Sequence, residues 1–271
     1  MGREADKAIG VFDSGVGGLT IIKEIMKLLP GENVVYFGDT ARVPYGPRSS
    51  ETITKYTFQS INFLLEQDIK AIVIACNTAS ARSLKKAQER YNIPILGVIK
   101  PGAKAAVEST LNNKIGVIGT EGTINSNAYT QEMSELDAGV SIFTRACPLF
   151  VPIVEEGWSN TEVARLTAQA YLSEFNEKDI DTLVLGCTHY PLLEATIGKV
   201  LKKPIRLVNP AIETARALKE MLEDRGLLRE GTGEGSYKYF VSDRPNNFSK
   251  VGERFLNREI RGISLIEIQR Y

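Results

Sequence analysis

Long apolar runs, a histidine cluster and a cysteine framework are all missing from this chain of 271 residues. No apolar stretch approaches the roughly 20 residues that span a bilayer, so a membrane helix is not expected. Residues 1–7 lack the apolar core of a signal peptide. Asp6 stands where an N-myristoylation motif starting at Gly2 needs Ser or Thr. A cytoplasmic protein is therefore expected. Three cysteines in a chain of this length do not make a disulfide framework, and reduced thiols are expected. The only histidine is His189, which excludes a multi-histidine metal centre. A zinc site would have to draw on Cys76, Cys147, Cys187 and His189, and no two of the cysteines have the C-x₂-C spacing, so no metal is expected. Excess charge is missing as well. The 33 basic residues balance 33 acidic ones, and a chain-wide footprint for nucleic acid is absent.

What the chain does have is enough apolar material for a full core, 43% hydrophobic against 24% charged residues. Its length fits one large domain or two ordinary ones. Short apolar runs alternate with helical patterns from end to end. Strands are predicted at Ala8–Phe12, Asn33–Phe37, Lys70–Ala75, Ile95–Ile99, Lys114–Ile118, Val140–Arg145, Thr182–Leu185, Ile205–Val208, Tyr237–Ser242 and Ile263–Ile268. Between them lie helical stretches, among them Glu51–Gln67, with Ile53, Tyr56, Phe58, Ile61 and Leu64 or Leu65 on its inner side, and also Ala79–Tyr91, Thr161–Phe175, Leu192–Leu201, Ala211–Asp224 and Asn246–Leu256. Strands separated by helices argue for α/β architecture with parallel sheets and right-handed crossovers. A weak repeat supports two similar units. Residues 10–15 resemble 116–121, and the segment around Cys76 resembles that around Cys187, at offsets of 106 and 111 residues. Two such α/β domains offer a crevice between them for a ligand.

The chemistry is expected at the two cysteines. Each ends an apolar run suited to a buried strand and precedes polar residues that open a helix, Asn77-Thr78 and Thr188-His189. Taken alone, a buried cysteine is a small hydrophobe. A thiol at a strand end beside a helix N-terminus is also where an open α/β sheet places reactive groups, and the helix end favours thiolate. Cys147, in an apolar run beside Pro148, reads as packing. His189, two residues after Cys187, can hold a proton near neutrality. Asp13 closes the first strand ahead of the loop Gly15/Gly17/Gly18, which lacks the spacing of a phosphate loop. Residues 38–46 read either as a solvated connection or as a binding loop.

Six segments, 11–20, 38–46, 75–81, 118–123, 147–155 and 185–193, lie in order over most of the chain and together resemble the cofactor-independent aspartate/glutamate racemase family. The resemblance implies two α/β domains around a cleft, residues 1–98 with 209–271 and residues 99–208. It implies a small-molecule substrate, glutamate, inverted at its α carbon without a cofactor, supply of D-glutamate for peptidoglycan, and a homodimer. It further implies that Cys76 and Cys187 are the catalytic bases. Asp13 would assist Cys76, and His189 with Glu155 would assist Cys187. Asp13, Ser14, Tyr45, Gly46, Asn77, Thr78, Thr188 and His189 would contact substrate, with Thr120 and Thr123 as further pocket residues. Inversion needs a base on one face and an acid on the other. Asp13 cannot favour a thiolate by charge, because a nearby anion raises a thiol's pKa. Its roles are to accept a hydrogen bond or proton, or to bind the substrate ammonium. The alternatives are a related aspartate- or hydantoin-type racemase and a non-catalytic protein that binds a small acid.

Overall fold

The computed structural model describes residues 4–231 and 233–271. Gly2, where the acylation motif would begin, lies outside them. The strands are β1 Ala8–Asp13, β2 Val34–Gly38, β3 Ile69–Ile74, β4 Ile95–Gly97, β5 Lys114–Gly119, β6 Ser141–Ala146, β7 Thr182–Gly186, β8 Arg206–Val208, β9 Tyr237–Val241 and β10 Ile263–Leu265. The helices are α1 Leu19–Leu28, α2 Ser50–Leu65, α3 Asn77–Arg90, α4 Ile99–Ser109, α5 Glu121–Ile124, α6 Ala128–Leu136, α7 Phe150–Glu155, α8 Glu162–Leu172, α9 Phe175–Lys178, α10 Glu194–Val200, α11 Pro210–Asp224 and α12 Pro245–Leu256.

Two sheets result. The first runs β10-β9-β2-β1-β3-β4 and the second β6-β5-β7-β8. Every pairing among these strands is parallel. Parallel strands covered on both faces carry apolar side chains in both directions, which is why they read as unbroken apolar runs. In β1, Ile9 and Val11 belong to the core that also holds β5 and β7, whereas Phe12 faces the second core beneath α2. In α2, Ile53, Ile61 and Leu64 are buried and Leu65 is exposed, which settles the choice between the two leucines.

The repeat in the sequence corresponds to matching strand orders. β2-β1-β3-β4 and β6-β5-β7-β8 wind in the same way, with β1 equivalent to β5 and β3 to β7. The winding reverses between β1 and β3 in the first sheet and between β5 and β7 in the second. The crevice outside the carboxyl ends of those strands is where open α/β sheets bind ligands. The last segment of the chain returns to the first sheet, because β9 pairs with β2. Helix α11 packs on both α1 and α4 and so joins the halves.

Three expectations about elements change. Residues 99–102 open helix α4 instead of ending a strand, so β4 stops at Gly97. Pro101 is tolerated there because first-turn N–H groups need no intrahelical partner. Helix α7 was not expected in the run after Pro148, and Pro152 occupies its first turn for the same reason. Residues 190–201 break into a 3₁₀ turn, Tyr190–Leu193, followed by α10. No helix among the described residues is long and apolar enough to cross a membrane.

Candidate active site

Both cysteines sit just beyond strands that flank the reversal, β3 and β7. Cys76 follows β3 and is the N-cap of α3, its Sγ accepting a hydrogen bond from the Ala79 N–H at 3.5 Å. Cys187 follows β7 directly and leads into the 3₁₀ turn. Both thiols are nearly buried, at 6% and 7% exposure. They line one pocket of about 40 Å³ with Ser14, Tyr45, Asn77, Thr120 and His189. Gly46, Thr78 and Thr188 complete the set of sequence-predicted residues in its wall. Asp13 and Thr123 are buried outside its lining, and Glu155 lines the neighbouring cavity. Outward, the pocket adjoins a larger cavity of about 490 Å³, which shares Gly46 and Thr120 with it, together with Val43, Pro44 and Val151. Those three residues were not expected as lining, although each lies within a segment carrying the family resemblance.

The two thiols have different surroundings. Burial pushes Cys76 up to about 12, and the nearby charge of Asp13 adds to the rise. The Ser14 hydroxyl and the Ala79 N–H pull the other way and are outweighed. The expectation that a helix end would by itself favour thiolate at this position is therefore corrected: burial is the larger effect. Asp13 is wholly buried, and that burial raises its own pKa. One of its carboxylate oxygens accepts from the Gly15 N–H at 2.9 Å, and the other has no protein partner.

Cys187 has a cationic neighbour. Its Sγ lies 3.9 Å from His189 Nδ1, and His189 Nε2 lies 2.9 Å from Glu155 Oε1. Burial alone would lower the histidine's pKa. The hydrogen bonds to Cys187 and Glu155 outweigh burial and raise it to about 10. Imidazolium is thus held between a sulfur and a carboxylate. The C-terminal helix α12 buttresses the arrangement. Phe255 meets the His189 ring edge-on at 5.4 Å, and Arg254 donates to the Glu155 carbonyl at 2.8 Å.

The rest of the wall is neutral and polar. Thr78 bridges the halves, its hydroxyl 2.8 Å from that of Thr120 and 3.2 Å from that of Thr123. The Asn77 side-chain oxygen accepts from the Tyr129 hydroxyl at 2.8 Å, which leaves the Asn77 amide hydrogens free for another partner. No lysine or arginine lines the inner pocket. A dicarboxylate bound here is met by hydroxyl, amide and backbone donors, aided by the N-terminus of α3. The Tyr45 hydroxyl is already committed to Asp39, so this residue offers the pocket its ring and backbone. Cys147 is fully buried, which agrees with the packing reading.

The glycine loop after β1 has a steric purpose. A Cβ on Gly17 would stand 2.1 Å from Thr188 Oγ1 and 2.6 Å from His189 Nδ1. The loop therefore touches the Cys187 half of the site, and only glycine permits that approach. Gly17→Ala is expected to displace His189 and lower kcat/KM on the order of 100-fold. Steady-state kinetics on a variant of confirmed fold checks this, and unchanged kinetics would show that the loop yields.

The comparisons agree with this geometry. The profile of the Asp/Glu/Hydantoin racemase family matches residues 9–218. A glutamate racemase of Geobacter metallireducens is 52% identical over 97% of this chain and 97% of its own length. Among solved structures, a glutamate racemase of Bacillus anthracis superposes with a TM-score of 0.93 at 42% identity, covering 96% of this chain and 97% of the other. One from Francisella tularensis, in complex with D-glutamate, gives 0.92 at 41% identity, covering 98% of this chain and all of the other (100%). An aspartate racemase of Picrophilus torridus is 19% identical with a TM-score of 0.57 and shares the fold alone. The chain belongs to the Asp/Glu/Hydantoin racemase family.

Proposed function

We propose that this protein is a glutamate racemase that interconverts L- and D-glutamate by proton transfer between two cysteines. The observation that carries this reading is the pair of thiols in one small pocket, on equivalent strands of two similarly wound sheets. The chain's close relatives are glutamate racemases.

Cys187 is the base of this reading, beside the imidazolium of His189, which Glu155 orients. Cys76 is the thiol, kept protonated by burial and by Asp13. Cys187 removes the α proton of one enantiomer and Cys76 delivers a proton to the opposite face. The reverse reaction exchanges the roles. Ser14, Asn77, Thr78, Thr120 and Thr188 hold the carboxylates, with Tyr45 and Gly46 shaping the wall and Thr123 bracing Thr78. Asp13 accepts from the substrate ammonium or from Ser14. The negative charge that develops beside the carboxylate is met by fixed donors in a site of low dielectric.

Residues 1–98 with 209–271 form one domain of this reading and residues 99–208 the other, with the cleft as active site. Assembly as a homodimer, a cytoplasmic place and supply of D-glutamate for peptidoglycan complete it. The test is incubation with D- and with L-glutamate in D₂O without added cofactor. Deuterium is expected at the α carbon of both, with loss of optical rotation. Exchange into neither enantiomer would sink the racemase reading and leave a small-acid binding protein.

A further inference from the structure

The loop from β2 to α2, residues 39–48, reaches over to the second sheet at Gly46. Pro44, Tyr45 and Gly46 stand in the pocket wall. Gly46 lies against Thr120, where a Cβ would come within 3.2 Å of the threonine Cβ. A loop making so long a reach needs an anchor, and Asp39 has the contacts of one. It is wholly buried (0% exposed) and does not line the pocket. One carboxylate oxygen accepts from Arg42 Nε at 2.7 Å and from the Tyr45 hydroxyl; the other accepts from the Ser242 hydroxyl at 2.9 Å. The Asp39 N–H donates to the Asp13 carbonyl at 3.0 Å, which ties the anchor to the end of β1.

The partners of Asp39 are themselves held. The Arg42 guanidinium lies 4.0 Å over the Tyr56 ring and donates to Gln59. Ser242, just past β9, also accepts from the Ala41 N–H at 2.9 Å, and Thr40 donates to the Asp243 carbonyl at 2.6 Å. One buried carboxylate therefore gathers the two ends of the loop, helix α2 by way of Arg42 and Gln59, and the returning C-terminal segment.

We propose that Asp39 is a positioning residue for substrate binding, whose carboxylate fixes the loop from Thr40 to Gly46 so that Pro44, Tyr45 and Gly46 stand at the bound glutamate. The proposal rests on the glutamate racemase reading. It goes beyond that reading by placing part of the substrate affinity in a residue that never touches the substrate. The Asp39 carboxylate also balances the partly buried Arg42, whose side chain is 11% exposed, so a neutral side chain at 39 leaves a cation without its partner.

The test begins with wild-type racemisation of glutamate; its absence refutes the function and not the anchor. Given an active wild type, Asp39→Asn is expected to lose kcat/KM on the order of 100-fold, mainly as a raised KM, with kcat reduced far less. Removing both charges in Asp39→Asn/Arg42→Gln is expected to recover much of that loss. Ser242→Ala, a milder change far from the thiols, is expected to raise KM severalfold and to add little on top of Asp39→Asn, because both act through one network. It also keeps the proposal testable if Asp39→Asn folds poorly. An unchanged KM in Asp39→Asn or in Ser242→Ala overturns the proposal. So does a loss confined to kcat or to the fraction of folded enzyme.

Discussion

Cys76→Ala and Cys187→Ala are each expected to lower racemisation by on the order of 10⁴-fold or more, while binding of glutamate survives. In the proposed mechanism each thiol serves one face of the α carbon, so neither can replace the other. Burial at 6% and 7% exposure leaves little access for water to stand in. The pocket's binding groups, by contrast, are hydroxyls and amides that the substitutions leave in place. The serine variants test the division of labour more finely. The two enantiomers have equal free energies in water, so kcat/KM must be the same in both directions for every variant. A lesion on one side therefore appears in the isotope effect. In Cys187→Ser, proton transfer at position 187 becomes slowest. An α-deuterated substrate whose deuteron position 187 must remove then shows a large effect, and its mirror image shows a much smaller one. In Cys76→Ser the pattern is reversed. Near-normal turnover in either alanine variant, or equal isotope effects in both directions for both serine variants, refutes the two-thiol mechanism.

Much of this site could be read along the chain because its pieces are local. Each thiol ends an apolar run that a strand buried on both faces requires, and each is followed at once by its polar neighbours. The doubled winding left a trace as offsets of 106 and 111 residues, since β1 with β5 and β3 with β7 are equivalent strands carrying equivalent turns. Two kinds of feature escaped. Helices α4 and α7 were not visible, each with a proline, Pro101 or Pro152, in a first turn that has N–H groups to spare. Contacts between distant segments were also hidden. Gly17 beside His189, and Asp39 beside Ser242, are separated by 172 (189 − 17) and 203 (242 − 39) positions, and no spacing rule connects them. Within a loop that reads either as a solvated connection or as a binding loop, Asp39 carries no sign of burial, which depends on β9 returning to pair with β2 and bring Ser242 to it.

The single histidine makes the Cys187 half of the site directly observable. With only one such ring in the chain, its NMR signal needs no assignment among rivals. His189 is expected to remain imidazolium through neutrality and to titrate near about 10. Its folded value thus lies above the 6.5 of an unperturbed histidine. Its contribution to stability is therefore full below about 6.5 and is lost as pH rises through about 10. The thermal midpoint of the wild type relative to His189→Asn should fall across that window. Burial works against the charge, and the rise depends on Cys187 and Glu155. Cys187→Ala should consequently lower the histidine's pKa, and Glu155→Gln should do the same. Without imidazolium beside it, the Cys187 thiolate loses its counter-ion. His189→Asn should then cost on the order of 10² to 10³ in kcat. A ring that titrates near 6.5 in the wild type and does not respond to Cys187→Ala would show that sulfur and imidazole are not paired. The resting charge of the site would then have to be sought at Cys76, where burial and Asp13 both oppose it.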